Sequence, residues 1–139
     1  PGNYQFQILT SKNVEKYGEY AVEHQGTFKN TYPKVLDAVA PSTEVQSDAD
    51  EIIELSQSIT QGLQTDLEKT RAIHDWVAGN IAYDVDAYFS GTYVSKSWDA
   101  LSVLRKRKAI CFGYSNLTAA LNRAAGLEAK VIIGDANVY

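Results

Sequence analysis

The spacing of apolar positions changes repeatedly along the chain, and each change marks a different kind of element. Near the start, Tyr4, Phe6 and Ile8 alternate with Gln5 and Gln7, the two-residue period of a half-buried strand. Residues 12–25 place Val14, Tyr17, Ala21 and Val22 at helical spacing ahead of Gly26, which predicts a short amphipathic helix. Residues 27–46 lose any period. Asn30, Pro33, Pro41, Ser42 and Thr43 surround a brief Val35-Leu36 patch, the composition of an irregular connection with at most a turn of helix. A boundary is expected there, dividing an N-terminal segment, 1–46, from a second region, 47–139.

Helical spacing dominates the second region. Ile52, Ile53, Leu55 and Ile59 form one apolar stripe, with Ser47 as its predicted cap and Gly62 near its end. Thr65 and Glu68 have the spacing of a capping box, and Leu67, Ile73, Trp76, Val77 and Ile81 follow on one face of a second helix. Residues 82–96 are aromatic, acidic and aperiodic, which predicts a long loop folded over a functional surface. A short helix is expected from Trp98 to Leu104, capped by Ser97. The basic turn 105–108 and an Ala/Leu-rich helix closed by Gly126 follow, and then a buried strand at Val131-Ile132-Ile133 and a turn at 135–137.

Composition narrows the function classes. With 139 residues the chain can bury a core of its own, and 45% hydrophobic against 22% charged residues is ordinary for a globular domain. A net charge of −4 and a pI near 5.1 argue against nucleic acid as a partner, because phosphate binding needs a positive surface. No run approaches the roughly 18 apolar residues of a membrane span, and no charged-then-apolar leader precedes Pro1. The absence of methionine is the pattern expected of a processed or trimmed product. A removed leader, with an extracellular or cell-surface setting, fits these residues, but nothing in them fixes a compartment.

The one cysteine changes the picture most. Cys111 stands at the predicted first turn of the last helix, behind Arg105, Lys106, Arg107 and Lys108. Unpaired helix N–H groups and positive charge both favour thiolate over thiol, which is what a nucleophilic cysteine requires. A cysteine without such context is more often a core residue. A thiol nucleophile also needs a base and a group to orient it, and the chain has two histidines, His24 and His74, both of which read as structural. One cysteine and two distant histidines offer no metal-ligand spacing, so no metal or cofactor is expected.

The segment Ser97-Trp98-Asp99-Ala100-Leu101, the basic stretch, Ala109-Ile110-Cys111-Phe112-Gly113-Tyr114-Ser115, a helix, and Arg123-Ala124-Ala125-Gly126-Leu127 leading into Val131 resembles the transglutaminase-like superfamily of papain-like thiol enzymes, in particular its bacterial members. The resemblance covers residues 65–135. It implies an α+β, papain-like fold in which helices precede the start of an antiparallel sheet packed on the Cys111 helix. It implies a protein or peptide substrate and acyl transfer from Cys111 to water, as in a peptidase or amidase, or to an amine, as in cross-linking.

The same resemblance places the catalytic His and Asp on strands after the cysteine helix, at positions this sequence does not contain. The chain is therefore expected to be an N-terminal portion of such a domain, inactive alone. Trp98 has two readings: a core tryptophan, or an indole donor to the oxyanion like an upstream aromatic in some relatives. Tyr114, on the face of Cys111, is expected to pack near the site, and the basic run either steers an anionic substrate or solvates a turn. A non-catalytic module for binding or scaffolding is the competing function. A strand at 130–134 without encoded partners further predicts a homo-oligomer formed by strand addition.

Overall fold

The computed structural model describes residues 2–11, 20–30 and 38–134, and these fall into two units, 1–36 and 37–139. The first unit contains an antiparallel ribbon of β1, Gly2–Ser11, and β2, Tyr20–Asn30, with Tyr4 opposite Phe28 and a bulge between Ile8 and Leu9. The alternating run at 4–9 is thus a strand. The helix expected over 12–25 is not formed at 20–25, which pairs along β1 instead; residues 12–19 lie outside the described residues. Tyr20, Val22 and Phe28 are aromatic and β-branched residues that favour a ladder, and four helical-period positions do not outweigh it. Thr27–Asn30, expected to be irregular, continues the same strand.

The second unit contains five helices among its described residues: α1, Asp50–Thr60; α2, Asp66–Asn80; α3, Val85–Phe89; α4, Ala100–Lys106; and α5, Cys111–Ala124. Thr65 and Glu68 close the expected capping box on α2, with the Thr65 hydroxyl accepting from the Glu68 N–H at 3.2 Å. Two other caps shift. Helix α1 starts after Ala49 without a side-chain cap, while Ser47 is buried with its N–H donating to the Val45 carbonyl. Helix α4 is capped by Asp99, which accepts from the Ser102 N–H at 2.9 Å; Ser97 donates its hydroxyl to the Asp99 carboxylate. A carboxylate is the better acceptor at a helix N-terminus because it also meets the dipole.

Helix α5 is the central element. Leu117, Ala120 and Leu121 are fully buried, and α5 packs against α1, α2 and α4. The apolar face expected to await a sheet is therefore already covered by helices of the same chain. Ser56 of α1, also fully buried, donates to the Leu121 carbonyl at 2.8 Å, so its buried hydroxyl is satisfied. Leu67, expected on the inner face of α2, is exposed instead, because α2 turns Ile73 and Val77 inward.

A short parallel ladder joins β3, Ala82–Tyr83, to β4, Lys108–Ala109; the Ala82 N–H donates to Arg107 O at 2.9 Å and the Asp84 N–H to Ala109 O at 2.8 Å. The fold is α+β and papain-like, mostly helical with this short parallel sheet. The expected strand at 131–133 is not formed: the segment has no ladder, and Ile132 and Ile133 are 84% and 80% exposed. A β-branched run predicts a strand only where a neighbouring edge is available, and among the described residues none pairs with it.

Candidate active site

Cys111 is the first residue of α5, after the extended Ile110, and it is exposed. The placement expected from sequence is met: the thiol stands at a helix start where backbone N–H groups have no intrahelical partner. Close packing beneath it accounts for the following glycine. A Cβ on Gly113 would lie 2.8 Å from both Ala109 Cβ and Val103 Cγ2, and 3.4 Å from Trp98 Cε3, so only hydrogen lets α5 begin this close to α4 and β4.

The basic run is tied into partners. Arg105 Nε donates to Glu51 at 3.1 Å, the Arg107 guanidinium lies 4.8 Å from the Trp76 ring, and Lys108 Nζ is 3.1 Å from Asp84 and 3.4 Å from Asp86. Arg107 also takes a left-handed φ of 54° at the end of α4, a position that favours glycine. Positive charge at 105, 107 and 108 thus meets partners of the same chain around the turn.

Trp98 is buried, and its indole N–H donates to the Tyr93 carbonyl at 2.8 Å. The indole donor is thus engaged with a backbone carbonyl, and the ring is part of the core cluster. The Trp98 carbonyl accepts from Asn116 Nδ2 at 3.0 Å, in a fully buried contact. Asn116 was missed by sequence reasoning, although an amide within the apolar stripe of α5 was the available signal.

Tyr83 and Asp84 were missed as site residues as well. Tyr83 leaves β3 beside Cys111. Partial burial of its ring, followed by charge on Cys111, raises its phenol pKa, and the Cys111 backbone N–H acts in the opposite direction on the phenol oxygen. Tyr83 stacks on Tyr114 at 6.3 Å between centroids, and the Tyr114 hydroxyl donates to the Ile81 carbonyl at the end of α2.

Asp84 is buried and makes more connections. Its carboxylate accepts from Lys96 Nζ at 3.0 Å and from the Ala87 N–H at 3.1 Å, and it pairs with Lys108. The Lys96 hydrogen bond, with smaller help from Ala87 and Lys108, lowers its pKa to about 2. One carboxylate therefore links β4, α3 and the approach to Trp98. Residues 82–96, expected to be one loop, are the strand β3, helix α3 and a 3-10 turn, Thr92–Ser95, fastened at this point.

His74 is not placed as a base for Cys111. His74 is exposed, with Nδ1 2.9 Å from Asp75 Oδ1, and it borders a groove of about 410 Å³ between α2, α5 and residues 129–132 that Cys111 does not line. His24 lies in β2 of the other unit. Among the described residues no group of His, Cys, Asp and Glu could hold a metal ion, and no helix is long and apolar enough to cross a membrane.

The sequence profile of the Transglutaminase-like superfamily matches residues 53–138, a stretch that begins within α1 and contains α2, the aromatic segment and the cysteine helix. The chain belongs to the transglutaminase-like superfamily. Among curated proteins it is similar to the kyphoscoliosis peptidases of Mus musculus and Homo sapiens, at 31% and 30% identity over 99 residues and 71% of this chain. It covers 14% of the length of each. The crystal structure of a candidate cysteine protease from Cytophaga hutchinsonii superposes with a TM-score of 0.57 at 23% identity, over 68% of this chain and 30% of that one. That likeness establishes the shared fold. In this superfamily member, the shared region places an exposed thiol at the head of a helix buried by its neighbours.

Proposed function

We propose that this chain carries the nucleophile of a thiol acyl-transfer domain, with Cys111 attacking an amide carbonyl of a protein or peptide. The observation that carries this reading is the exposed thiol at the start of α5, held there by the close Gly113 contact. In the reaction the Cys111 sulfur forms a bond to the carbonyl carbon, and the thiol proton passes by way of a base to the departing amine as the C–N bond breaks. Water then releases the acid, or a second amine releases a new amide.

Charge on the carbonyl oxygen in the tetrahedral intermediate needs donors. The Cys111 backbone N–H at the start of α5 supplies one, and the phenol of Tyr83, whose backbone pairs with Ala109 two residues before the thiol, supplies the second. Exposed and paired with Asp75 away from the thiol, His74 does not supply the base, and without one the domain performs a single acylation without turnover.

With p-nitrophenyl acetate, one equivalent of p-nitrophenolate should be released as a thioester forms on Cys111, followed by no sustained rate. Cys111→Ala should show no burst, and Tyr83→Phe should slow it by about 10²-fold, the lower range for one oxyanion donor. Continued turnover would contradict the missing base. A burst that survives Cys111→Ala would contradict the nucleophile and favour a binding or scaffolding module.

The exposed Ile132 and Ile133 support a second element of this reading, self-association through residues 130–134 by strand addition between copies. Light scattering at micromolar concentration should then give more than a monomer mass, and Ile132→Lys should lower it. A monomer mass at every concentration removes this element.

A further inference from the structure

We infer that the aromatic rings beside Cys111 form a subsite for a large apolar or aromatic side chain of a peptide, next to the amide that the thiol attacks. This rests on the nucleophile reading and adds the substrate class. Tyr88 meets Tyr83 edge-on at 6.2 Å, stacks on Tyr93 at 6.2 Å, and meets Phe89 edge-on at 5.5 Å. Tyr83 in turn stacks on Tyr114, three residues beyond the thiol. A connected set of rings therefore leads away from Cys111, and much of it lies in water: Phe89 is 83% exposed, and Tyr83 and Tyr88 are 42% and 51% exposed. Folding gains little from apolar area left outside, and a contiguous exposed patch of this kind marks a binding surface.

The backbone beneath the rings is fixed before any ligand arrives. Asp84 caps α3, and the Trp98 indole holds the Tyr93 carbonyl, so the rings are presented on β3, α3 and an ordered 3-10 turn and a ligand need not order them. Local charge selects neither sign of partner, because Lys96 and Lys108 match Asp84 and Asp86. Two of the ring pairs are inclined at 61° and 86°, so both faces and edges are presented to solvent. Such a surface suits a side chain that can present its own edge. A sugar ring would instead seek a coplanar platform.

The test is the rate at which Cys111 is alkylated by chloromethyl ketones of N-acetylphenylalanine, N-acetylglycine and N-acetylaspartate, each divided by its rate with iodoacetamide and read by intact mass. In each case a carbon–sulfur bond forms, halide leaves and the thiol proton goes to solvent. The phenylalanine reagent should react roughly tenfold faster than the other two, the scale of a good aromatic contact. Tyr88→Ala and Phe89→Ala should each reduce that ratio. Equal ratios for all three reagents overturn the subsite while leaving the nucleophile intact.

A thiol inert to iodoacetamide contradicts the nucleophile alone. The subsite is then judged by adding N-acetylphenylalanine amide and following the tyrosine ring resonances, where movement of the Tyr83 and Tyr88 signals supports it and no movement overturns it. Movement of those signals with cellohexaose and not with the phenylalanine amide also overturns it, in favour of a carbohydrate surface.

Discussion

On one side of the Cys111 helix, Leu117, Ala120 and Leu121 are fully buried against α1, α2 and α4; on the other, Tyr83, Tyr88 and Phe89 are exposed to water on the short elements β3 and α3. Helix packing removes apolar area from solvent and provides most of the stability. The aromatic segment is held by a two-residue ladder, the Asp84 carboxylate and one indole hydrogen bond. The thiol thus lies at the join of a scaffold that must not move and a surface free to vary. Changes on the first side should unfold the chain, whereas changes on the second should alter the surface and leave the fold.

Leu117→Ala should have the largest effect, a loss of about 2–5 kcal/mol in denaturant unfolding, because a fully buried leucine leaves a cavity among three helices. An effect below about 1 kcal/mol would mean that α5 is not the centre of the core. Gly113→Ala follows at about 1–3 kcal/mol, since the new methyl meets two atoms at 2.8 Å that are fixed close to backbone. Asn116→Ala should also cost about 1–3 kcal/mol by leaving the buried Trp98 carbonyl without its donor.

On the aromatic side, Asp84→Asn should loosen residues 82–96 with little change in far-ultraviolet circular dichroism, read as a loss of the near-ultraviolet tyrosine signal. The pH dependence has a defined sign. The folded pKa of Asp84 is about 2 against an ordinary 3.8, so its contribution is complete above 3.8 and is lost as pH falls through about 2. Lys108 is raised above its ordinary 10.5, first by Asp84 and then by Asp86, so its contribution is complete below that value and is lost as pH rises through the higher one. The near-ultraviolet signal should be flat from pH 3.8 up to the onset of tyrosine ionisation at about pH 9, and Asp84→Asn should erase the acid limb. An acid limb unchanged by the substitution would show that another carboxylate fastens the segment. Phe89→Ala, at the exposed end, should change unfolding by no more than about 0.5 kcal/mol.

The same contrast explains what the sequence made legible. Helices α1, α2 and α5 were readable because a 3.6-residue apolar stripe is a local record of burial, and the Thr65-Glu68 box because capping spans a single turn. Cys111 at a helix start followed from the same periodicity. The site residues that went unread, Tyr83, Asp84 and Asn116, act through partners distant in sequence: Asp84 through Lys96 and Lys108, and Asn116 through the Trp98 carbonyl. Their identities carry no period. The misplaced caps at Ser47 and Ser97 have a related cause, since several nearby polar residues could each cap the helix and tertiary contacts choose among them. Gln46, for example, bonds both Asp99 and the Leu101 N–H, and so joins in fixing the start of α4.

The most direct test of the account is carbon-13 NMR of the full chain with N-acetylphenylalaninal labelled at the aldehyde carbon. Attack by Cys111 forms a carbon–sulfur bond and converts the carbonyl to a hemithioacetal, whose oxygen lies where the oxyanion would form, and no base for turnover is required. The account predicts a hemithioacetal resonance in the native chain, absent in Cys111→Ala and weakened in Tyr83→Phe. Only free aldehyde and its hydrate in the native chain, or the same adduct in Cys111→Ala, would contradict it.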